Sequence, residues 1–163
     1  MSYSVVPVAE AHFAELHRAL DVVAREKRFL AFTQAPPFEE SLAFYQGIVA
    51  NDFCQFVALD GMHVVGWCDI LPTRGEGRSH VGRLGIGVVP AARHQGLGAR
   101  LLEAAIEKAR TKGITRIELV VRTDNKNAKA LYERFGFVVE GLQQRAMRLD
   151  GQYHDAYAMA LLL

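Results

Sequence analysis

The sequence predicts an α/β (α+β) domain in which helices flank a mixed, mostly antiparallel central sheet. Three apolar segments follow one another closely between positions 53 and 89, which favours an antiparallel meander. A strand, a long helix and another strand then occupy positions 80–121, and such a connection is parallel and right-handed. Two final strands meet at Asp150-Gly151, a hairpin signal. The 163 residues suit a single domain, 1–163, with a substantial core.

The N-terminal part of the chain predicts one strand followed by two helices. Tyr3–Val8 has the alternation of an edge strand, and Ala9–Arg28 carries apolar residues at helical spacing. The paired prolines in Thr33–Phe38 interrupt that pattern, because proline is not tolerated inside a helix. Glu39–Val49 then predicts the second helix.

The middle of the chain predicts three strands, Phe53–Leu59, Met62–Leu71 and His80–Val89. The first two meet at Asp60-Gly61, a strong turn signal, and the polar loop Thr73–Arg78 precedes the third. Cys54 and Cys68 lack metal-ligand spacing, so we interpret them as buried free thiols on neighbouring strands, with a disulfide left open.

The C-terminal half predicts two helices and three further strands. The long helix Gly98–Lys112 ends at Gly113, a favoured C-terminal residue. A shorter helix is expected between Asn125 and Gly136, which are good N-terminal and C-terminal caps. The strands are expected at Ile114–Val121, Val138–Arg148 and Tyr153–Leu163.

Composition narrows the function classes. The formal net charge is +1, so bulk electrostatics give no case for binding nucleic acid or a membrane surface. No apolar run approaches the length of a bilayer span, and the N-terminus lacks the layout of a signal peptide. We therefore expect a soluble, cytoplasmic protein.

A glycine-containing segment, Arg93-His94-Gln95-Gly96-Leu97-Gly98, links the third predicted strand to the long helix. Glycines at a helix start let a ligand approach the backbone closely. The amides of the first helical turn lack intrahelical acceptors, and the helix dipole adds positive potential there. The segment therefore predicts an anion site suited to phosphate.

This pattern, Arg93-x-x-Gly96-x-Gly98 after a strand and Pro90, resembles the acetyl-CoA signature of the GNAT-type N-acetyltransferases. A second segment, Asp124–Phe137, resembles the family pattern Asn-x-x-Ala-x-x-Leu-Tyr-Glu-x-x-Gly-Phe at each defined position. The resemblance implies a GNAT fold, acetyl-CoA as the acetyl donor, and no metal. The coenzyme-binding residues that it implies are Ile86, Gly87, Val88, Arg93, His94, Gln95, Gly96, Leu97, Gly98, Ala99, Asn125 and Tyr132.

In the resembled family the backbone amides of the loop, here His94 to Ala99, cradle the diphosphate of coenzyme A. The strand edge Ile86–Val88 pairs with the pantetheine arm, and we expect the amide of Val88 to stabilise the thioester oxyanion. The resemblance makes Tyr132 the general acid that protonates the leaving thiolate. Asn125 both caps its helix and hydrogen-bonds the pantetheine arm in this interpretation.

The general base is open. One branch of the family has a glutamate five residues before the motif asparagine, but Val120 occupies that position here. Glu118 lies on the same strand face and is our first candidate. His80, Asp69 and a chain of water molecules without a dedicated base are the alternatives.

The implied reaction is direct transfer of the acetyl group to a primary amine. A small molecule, such as an amino acid or a related compound, is the first expected acceptor. A protein N-terminus of the ribosomal-protein type and a non-catalytic acyl-CoA sensor are the alternatives. A homodimer is possible. In the family, helices before the sheet line the acceptor cleft, so the residues to watch are Arg25, Arg28, Phe29, Phe32 and Gln34.

Overall fold

The computed structural model describes residues 2–163, whose strands form one sheet in the order β1-β2-β3-β4-β5-β7-β6. The strands are β1 Ser4–Pro7, β2 Cys54–Asp60, β3 His63–Pro72, β4 Val81–Val88, β5 Arg116–Arg122, β6 Val138–Leu149 and β7 Gln152–Leu162. Within the described residues, β4 and β5 are the parallel pair and the other neighbours are antiparallel. The predicted mixed, mostly antiparallel sheet is confirmed.

Within residues 2–163, four α-helices accompany the sheet: α1 Phe13–Ala24, α2 Phe38–Ala50, α3 Leu97–Thr111 and α4 Lys126–Arg134. The prediction of one helix over Ala9–Arg28 is wrong at both ends. A short 3-10 turn, Glu10–His12, precedes α1, and the chain leaves the helix after Ala24. Lys27 has a φ of 55°, a left-handed conformation that a continuing α-helix does not contain. Residues 25–37 therefore form the connection between α1 and α2.

The two faces of the sheet carry different helices. The Sγ atom of Cys54 donates to the carbonyl of Ala105, and a Cβ at Gly66 would lie 3.2 Å from Leu101 Cδ1. These contacts place α3 on one face, which we call the α3 face. Because side chains alternate along a strand, Trp67 and Asp69 of β3 point to the opposite face. That face carries α1 and α2, and we call it the α1/α2 face.

The sheet opens between β4 and β5. Their Cα register covers three positions, Val81–Arg116, Gly82–Ile117 and Arg83–Glu118. β4 then continues along β3 as far as Val88, while β5 continues along β7 as far as Arg122. The remaining part of each strand consequently borders a gap through the sheet, which we call the β4/β5 gap.

The core lies on both faces of the central strands and is built from buried aliphatic and aromatic side chains of α1, α3 and the sheet. Cys54 and Cys68 are both buried and free, as expected from the sequence. Residues 2–163 contain no cluster of three or more His, Cys, Asp or Glu side chains placed to hold a metal ion. None of the helices in that range combines the length and apolarity needed to cross a bilayer.

Candidate active site

A cavity of about 640 Å³ occupies the β4/β5 gap. Its walls come from the end of α1, the C-terminal halves of β4 and β5, the loop before α3, and α4. Eleven of the twelve residues predicted to bind the coenzyme line it, and Gln95 is the exception. The two motifs, which are about thirty residues apart in the sequence, therefore meet at one site.

The edge of β4 directs backbone amides into the cavity. The amide of Val89 donates to the carbonyl of Val65 at 2.9 Å, so Val89 belongs to a hydrogen-bonded pair with β3. Because such pairs alternate along an antiparallel ladder, the amides of Val88 and Ile86 point away from β3. They face the β4/β5 gap, where an extended ligand arm could pair with them as an additional strand.

The loop before α3 has the geometry of an anion cradle. Gly96 has a φ of 79° and directly precedes the helix, and a Cβ built there meets no atom within 4 Å. His94 is also left-handed, with a φ of 60°. The amides of Leu97, Gly98 and Ala99 lie in the first turn of a 15-residue helix and lack intrahelical acceptors. Open space beside unpartnered donors at a helix N-terminus fits the diphosphate of coenzyme A.

Arg93 connects this loop to β4 and to the segment after α1. Its Nε donates to the carbonyl of Val88 at 2.9 Å, and its terminal nitrogens form a bidentate pair with Glu26 at 2.8 and 2.5 Å. The guanidinium also lies 4.7 Å from the ring centroid of Phe29. Arg93 therefore lines the cavity, but its charge is largely matched by Glu26, which ties the connection after α1 to the loop before α3.

Tyr132 projects from α4 on the α3 face of the gap. Its side chain is buried, and its ring packs against Phe137 with centroids 5.8 Å apart. The hydroxyl makes no hydrogen bond within residues 2–163, so it can serve a ligand in the cavity. Burial raises the pKa of Tyr132 above its ordinary value, which keeps the phenol protonated at neutral pH.

Asn125 caps α4, because its Oδ1 accepts a hydrogen bond from the amide of Ala128 at 3.3 Å. The predicted cap is thus confirmed, and Asn125 also borders the cavity. Gly98 makes a different contribution: a Cβ at this position would lie 3.2 Å from Leu131 Cδ2. The second glycine of the loop therefore lets α3 approach α4, so that both motifs reach one cavity.

The α1/α2 side of the cavity has a distinct lining. It consists of Val23, Arg28, Phe29, Val120, Arg122 and Met147. Arg122 is buried, pairs with Asp124, and donates to the carbonyl of Lys27 at 3.4 Å. Arg28 forms no ion pair within residues 2–163 and stays exposed at the cavity wall. In the described part of the chain, this side thus offers an apolar surface together with a cation, Arg28, that has no carboxylate partner.

The base candidates are spread over the molecule. Glu118 accepts from Arg116 Nε at 2.9 Å and from Arg78 at 2.9 Å, and it does not line the cavity. The hydrogen bond from Arg116, followed by that from Arg78, lowers the pKa of Glu118. This geometry argues against the general-base role expected for Glu118, since an ion-paired carboxylate is a weak base.

His80 is exposed before β4 and also lies outside the cavity lining. Asp69 lies deep in the fold on the α1/α2 face, beside Gly85 of β4. Its carboxylate is half-buried and pairs with no cation in the described part of the chain. Like the other two side-chain candidates, Asp69 is not among the residues that line the cavity, but Gly85, its neighbour on β4, directly precedes the lining residue Ile86.

The motif-based prediction missed Arg122 and Met147. Arg122 had a usable signal, because it is a charge at the end of an otherwise apolar strand and directly precedes the second motif. Met147 had none, since β6 is brought to the cavity by its pairing with β7. Arg28 and Phe29 were singled out in the sequence and do line the cavity, whereas Phe32 is 56% exposed and does not.

This chain is similar in sequence to known acetyltransferases. The model of the acetyltransferase (GNAT) family matches residues 16–137. The L-amino acid N-acetyltransferase AaaT of Escherichia coli is 35% identical over 124 residues, which are 76% of this chain and 74% of that protein. The [ribosomal protein bS18]-alanine N-acetyltransferase of E. coli is 37% identical over 76 residues, 47% of this chain and 51% of its own.

A solved structure of similar fold is the GNAT superfamily phosphinothricin acetyltransferase from Sinorhizobium meliloti, determined in complex with acetyl-CoA. It superposes with a TM-score of 0.91 at 20% sequence identity, covering 100% of this chain and 89% of its own. This similarity of fold therefore extends over the whole of this chain.

Proposed function

This chain belongs to the GNAT family of acetyltransferases and is an acetyl-CoA-dependent N-acyltransferase, and from that premise we propose that it acetylates the primary amine of a free amino acid or a closely related small molecule. The observation that carries the proposal is the lining of the α1/α2 side of the cavity. Arg28 supplies a cation without a carboxylate partner, beside the apolar surfaces of Phe29 and Met147. The carboxylate of an amino acid would pair with the cation, and its side chain would pack against the apolar surfaces.

The connection after α1 supports a small acceptor over a polypeptide. Lys27 pairs with Asp150 of the β6–β7 turn at 2.9 Å, and its carbonyl accepts from Arg122. Glu26 pairs with Arg93 on the other side. These contacts hold Glu26 and Lys27 beside the lining residues Arg28 and Phe29, and we infer that they limit the room for an extended peptide.

The chain's residues divide the reaction between them in this proposal. The amides of Leu97, Gly98 and Ala99 bind the diphosphate, and the amide of Val88 donates to the thioester oxygen as negative charge develops there. Tyr132 donates its phenolic proton to the departing sulfur. Acetyl-CoA supplies the acyl group as the cosubstrate, and the cavity holds the thioester next to the amine.

The test is an acetylation screen in which released thiol is measured with free amino acids, their amides, polyamines and alanine-terminated peptides. We expect free amino acids to be the best acceptors. Arg28→Gln should raise the KM for amino acids about tenfold or more, and should leave the KM for the amides nearly unchanged, because only the former carry a carboxylate.

Arg25→Gln is the matched control. Arg25 is three residues away, pairs with Asp21 on the surface and does not line the cavity, so its substitution should change neither KM. Peptides that outperform every free amino acid would overturn the assignment in favour of a protein N-terminus as the acceptor.

A further inference from the structure

Asp69 and Gln55 form a polar pair on the α1/α2 face, outside the residues that line the cavity. Asp69 of β3 lies directly opposite Gly85 of β4. A Cβ at Gly85 would lie 3.1 Å from Asp69 Oδ1, so the carboxylate rests against the bare backbone of that glycine. Any larger residue at position 85 would push the carboxylate away from β4.

This carboxylate lies beside the stretch of β4 that borders the β4/β5 gap, although Asp69 itself is not among the residues that line the cavity. The last paired position of the two strands is Arg83–Glu118, and Gly85 comes two residues later on β4. Ile86, the next residue, already lines the cavity. Asp69 keeps partial solvent exposure, so water can reach its carboxylate.

Gln55 of β2 holds the carboxylate and carries an unsatisfied atom. Its Nε2 donates to Asp69 Oδ2 at 3.2 Å, which is the amide orientation that the ionised carboxylate requires, because that form only accepts. Gln55 Oε1 is then left buried without a hydrogen-bond partner among residues 2–163, on a side chain that is 4% exposed. A buried acceptor of this kind calls for a donor, such as an ordered water molecule.

The groups around Asp69 do not neutralise it. From α2, Tyr45 donates its hydroxyl to His17 Nδ1 of α1 at 2.8 Å, since His17 Nε2 donates to the carbonyl of Pro36. Cys54 and Cys68 are buried thiols whose side chains point to the α3 face. Arg83 of β4 shares the face of Asp69 but forms no ion pair with it.

The lack of a cationic partner has a consequence for the proton affinity of Asp69. Burial raises its pKa to about 7, and the hydrogen bond from Gln55 offsets only part of this effect. A carboxylate of this kind can both take up and release a proton near neutral pH, which suits general base catalysis.

We propose that Asp69 is the general base of the reaction, and that it accepts the proton of the acceptor ammonium through a water molecule bound to Gln55 Oε1. The inference rests on the proposed function, because it needs an amine acceptor on the α1/α2 side. One ammonium proton passes to the water, which passes a proton to Asp69 and leaves a neutral amine. The nitrogen then forms the C–N bond with the acetyl carbon.

Tyr132 carries out the remaining proton transfers. As the C–S bond breaks, the phenol gives its proton to the sulfur and regains one from the amide nitrogen that is forming. The proton on Asp69 returns to solvent after the reaction. Asp69 and Tyr132 thus act from opposite faces of the sheet, with the β4/β5 gap between them, so neither group obstructs the substrate that the other serves.

The test compares the pH–rate profiles of the wild type and Asp69→Asn with a saturating free amino acid. We expect the variant to lose kcat about 100-fold near pH 7 and to lose the rise in rate with pH that the wild type shows around the titration of Asp69. The Kd for acetyl-CoA and the unfolding transition report whether the variant is folded and binds the donor. Glu118→Gln, at the surface ion pair, should keep the wild-type rate and profile.

A second acceptor separates the base role from a structural one. An amine that is already neutral at the assay pH needs no base, so Asp69→Asn should acetylate it at nearly the wild-type rate. An equal loss with both amines, or full activity of Asp69→Asn at every pH, would overturn the inference. These results all require an active wild type, whereas a wild type that acetylates no amine would overturn the proposed function itself.

Discussion

At the scale of single residues, Tyr132 gives the most direct prediction. Its hydroxyl is unpartnered in the described structure and faces the cavity, and its ring is held by Phe137. Tyr132→Phe keeps the ring and removes the proton donor. We expect kcat to fall about 100-fold while the Kd for acetyl-CoA changes less than twofold. Steady-state kinetics and titration calorimetry measure the two quantities.

Tyr153→Phe provides the control for this change. Tyr153 is 53% exposed on β7 and does not line the cavity, so the loss of its hydroxyl should leave turnover unaltered. If Tyr132→Phe retained full turnover, the thiolate would be protonated by another group, and the acid would have to be sought elsewhere in the cavity.

Asp69 also carries a prediction about stability. Its pKa is about 7 in the folded protein, against a reference value of 3.8, so the folded state keeps this proton to higher pH than the unfolded chain does. The free energy of unfolding therefore decreases as pH rises from about 4 to about 7. Each pKa unit of difference corresponds to about 1.4 kcal/mol.

Asp69→Asn removes this dependence, because an amide does not titrate in the range. We expect the variant to have a higher Tm than the wild type at pH 8, and no such advantage at pH 4. Thermal unfolding at both values measures the difference. A Tm advantage of equal size at pH 4 and pH 8 would mean that the carboxylate does not titrate as its burial requires.

At the scale of structural elements, the start of α3 and the loop before it form the proposed coenzyme cradle, and a substitution at Gly96 tests it. Gly96→Glu places a negative charge and a side chain in the open space beside the first-turn amides. We expect the affinity for acetyl-CoA to fall at least 100-fold, measured by calorimetry, because the carboxylate occupies the anion site.

Gly96→Ala is the matched control for this substitution. With a φ of 79°, any side chain at position 96 costs about 1–2 kcal/mol of backbone strain. Both variants should therefore show a similar loss of stability, but the alanine variant should retain most of its affinity for the coenzyme. Equal affinity losses in the two variants would attribute the effect to a distorted loop instead of an occupied anion site.

The elements of the active site differ in how far they follow from the sequence. The loop at Gly96 and the helix capped by Asn125 were predicted well, because backbone conformation and capping depend on neighbouring residues. The end of α1 was not predicted well. Lys27 adopts a left-handed φ, its side chain pairs with Asp150, and its carbonyl accepts a hydrogen bond from Arg122. Both partners are distant in the sequence. No local pattern encodes those contacts.

The choice of base shows the same limit. Glu118 and Asp69 are both carboxylates on strands, so periodicity alone does not separate them. The difference comes from tertiary partners. Two arginines, Arg78 and Arg116, neutralise Glu118. Asp69 instead accepts a hydrogen bond from the amide of Gln55 and, among residues 2–163, pairs with no cation. Charge pairing across strands decides which carboxylate is available as a base.

At the scale of the whole molecule, the order of the strands sets which edges are exposed. The final hairpin folds so that β7 lies between β5 and β6, which the strand sequence alone did not indicate. One edge of the sheet is the four-residue β1, and the other is the twelve-residue β6. The insertion of β7 thus closes the sheet beside the cavity and leaves a long strand unpaired on its outer side.

That long edge motivates a prediction about assembly, in line with the homodimer considered from the sequence. Val138, Val139 and Leu142 of β6 are 60%, 43% and 52% exposed, and exposed apolar edge strands favour association. We expect a homodimer that buries β6, and we expect Leu142→Glu to dissociate it, as measured by light scattering after gel filtration. Met62→Glu, at an 89% exposed apolar residue on the β2–β3 turn, should leave the mass unchanged. A wild-type monomer at tens of micromolar would contradict the prediction, because an edge of this length would then be stable in water without a partner.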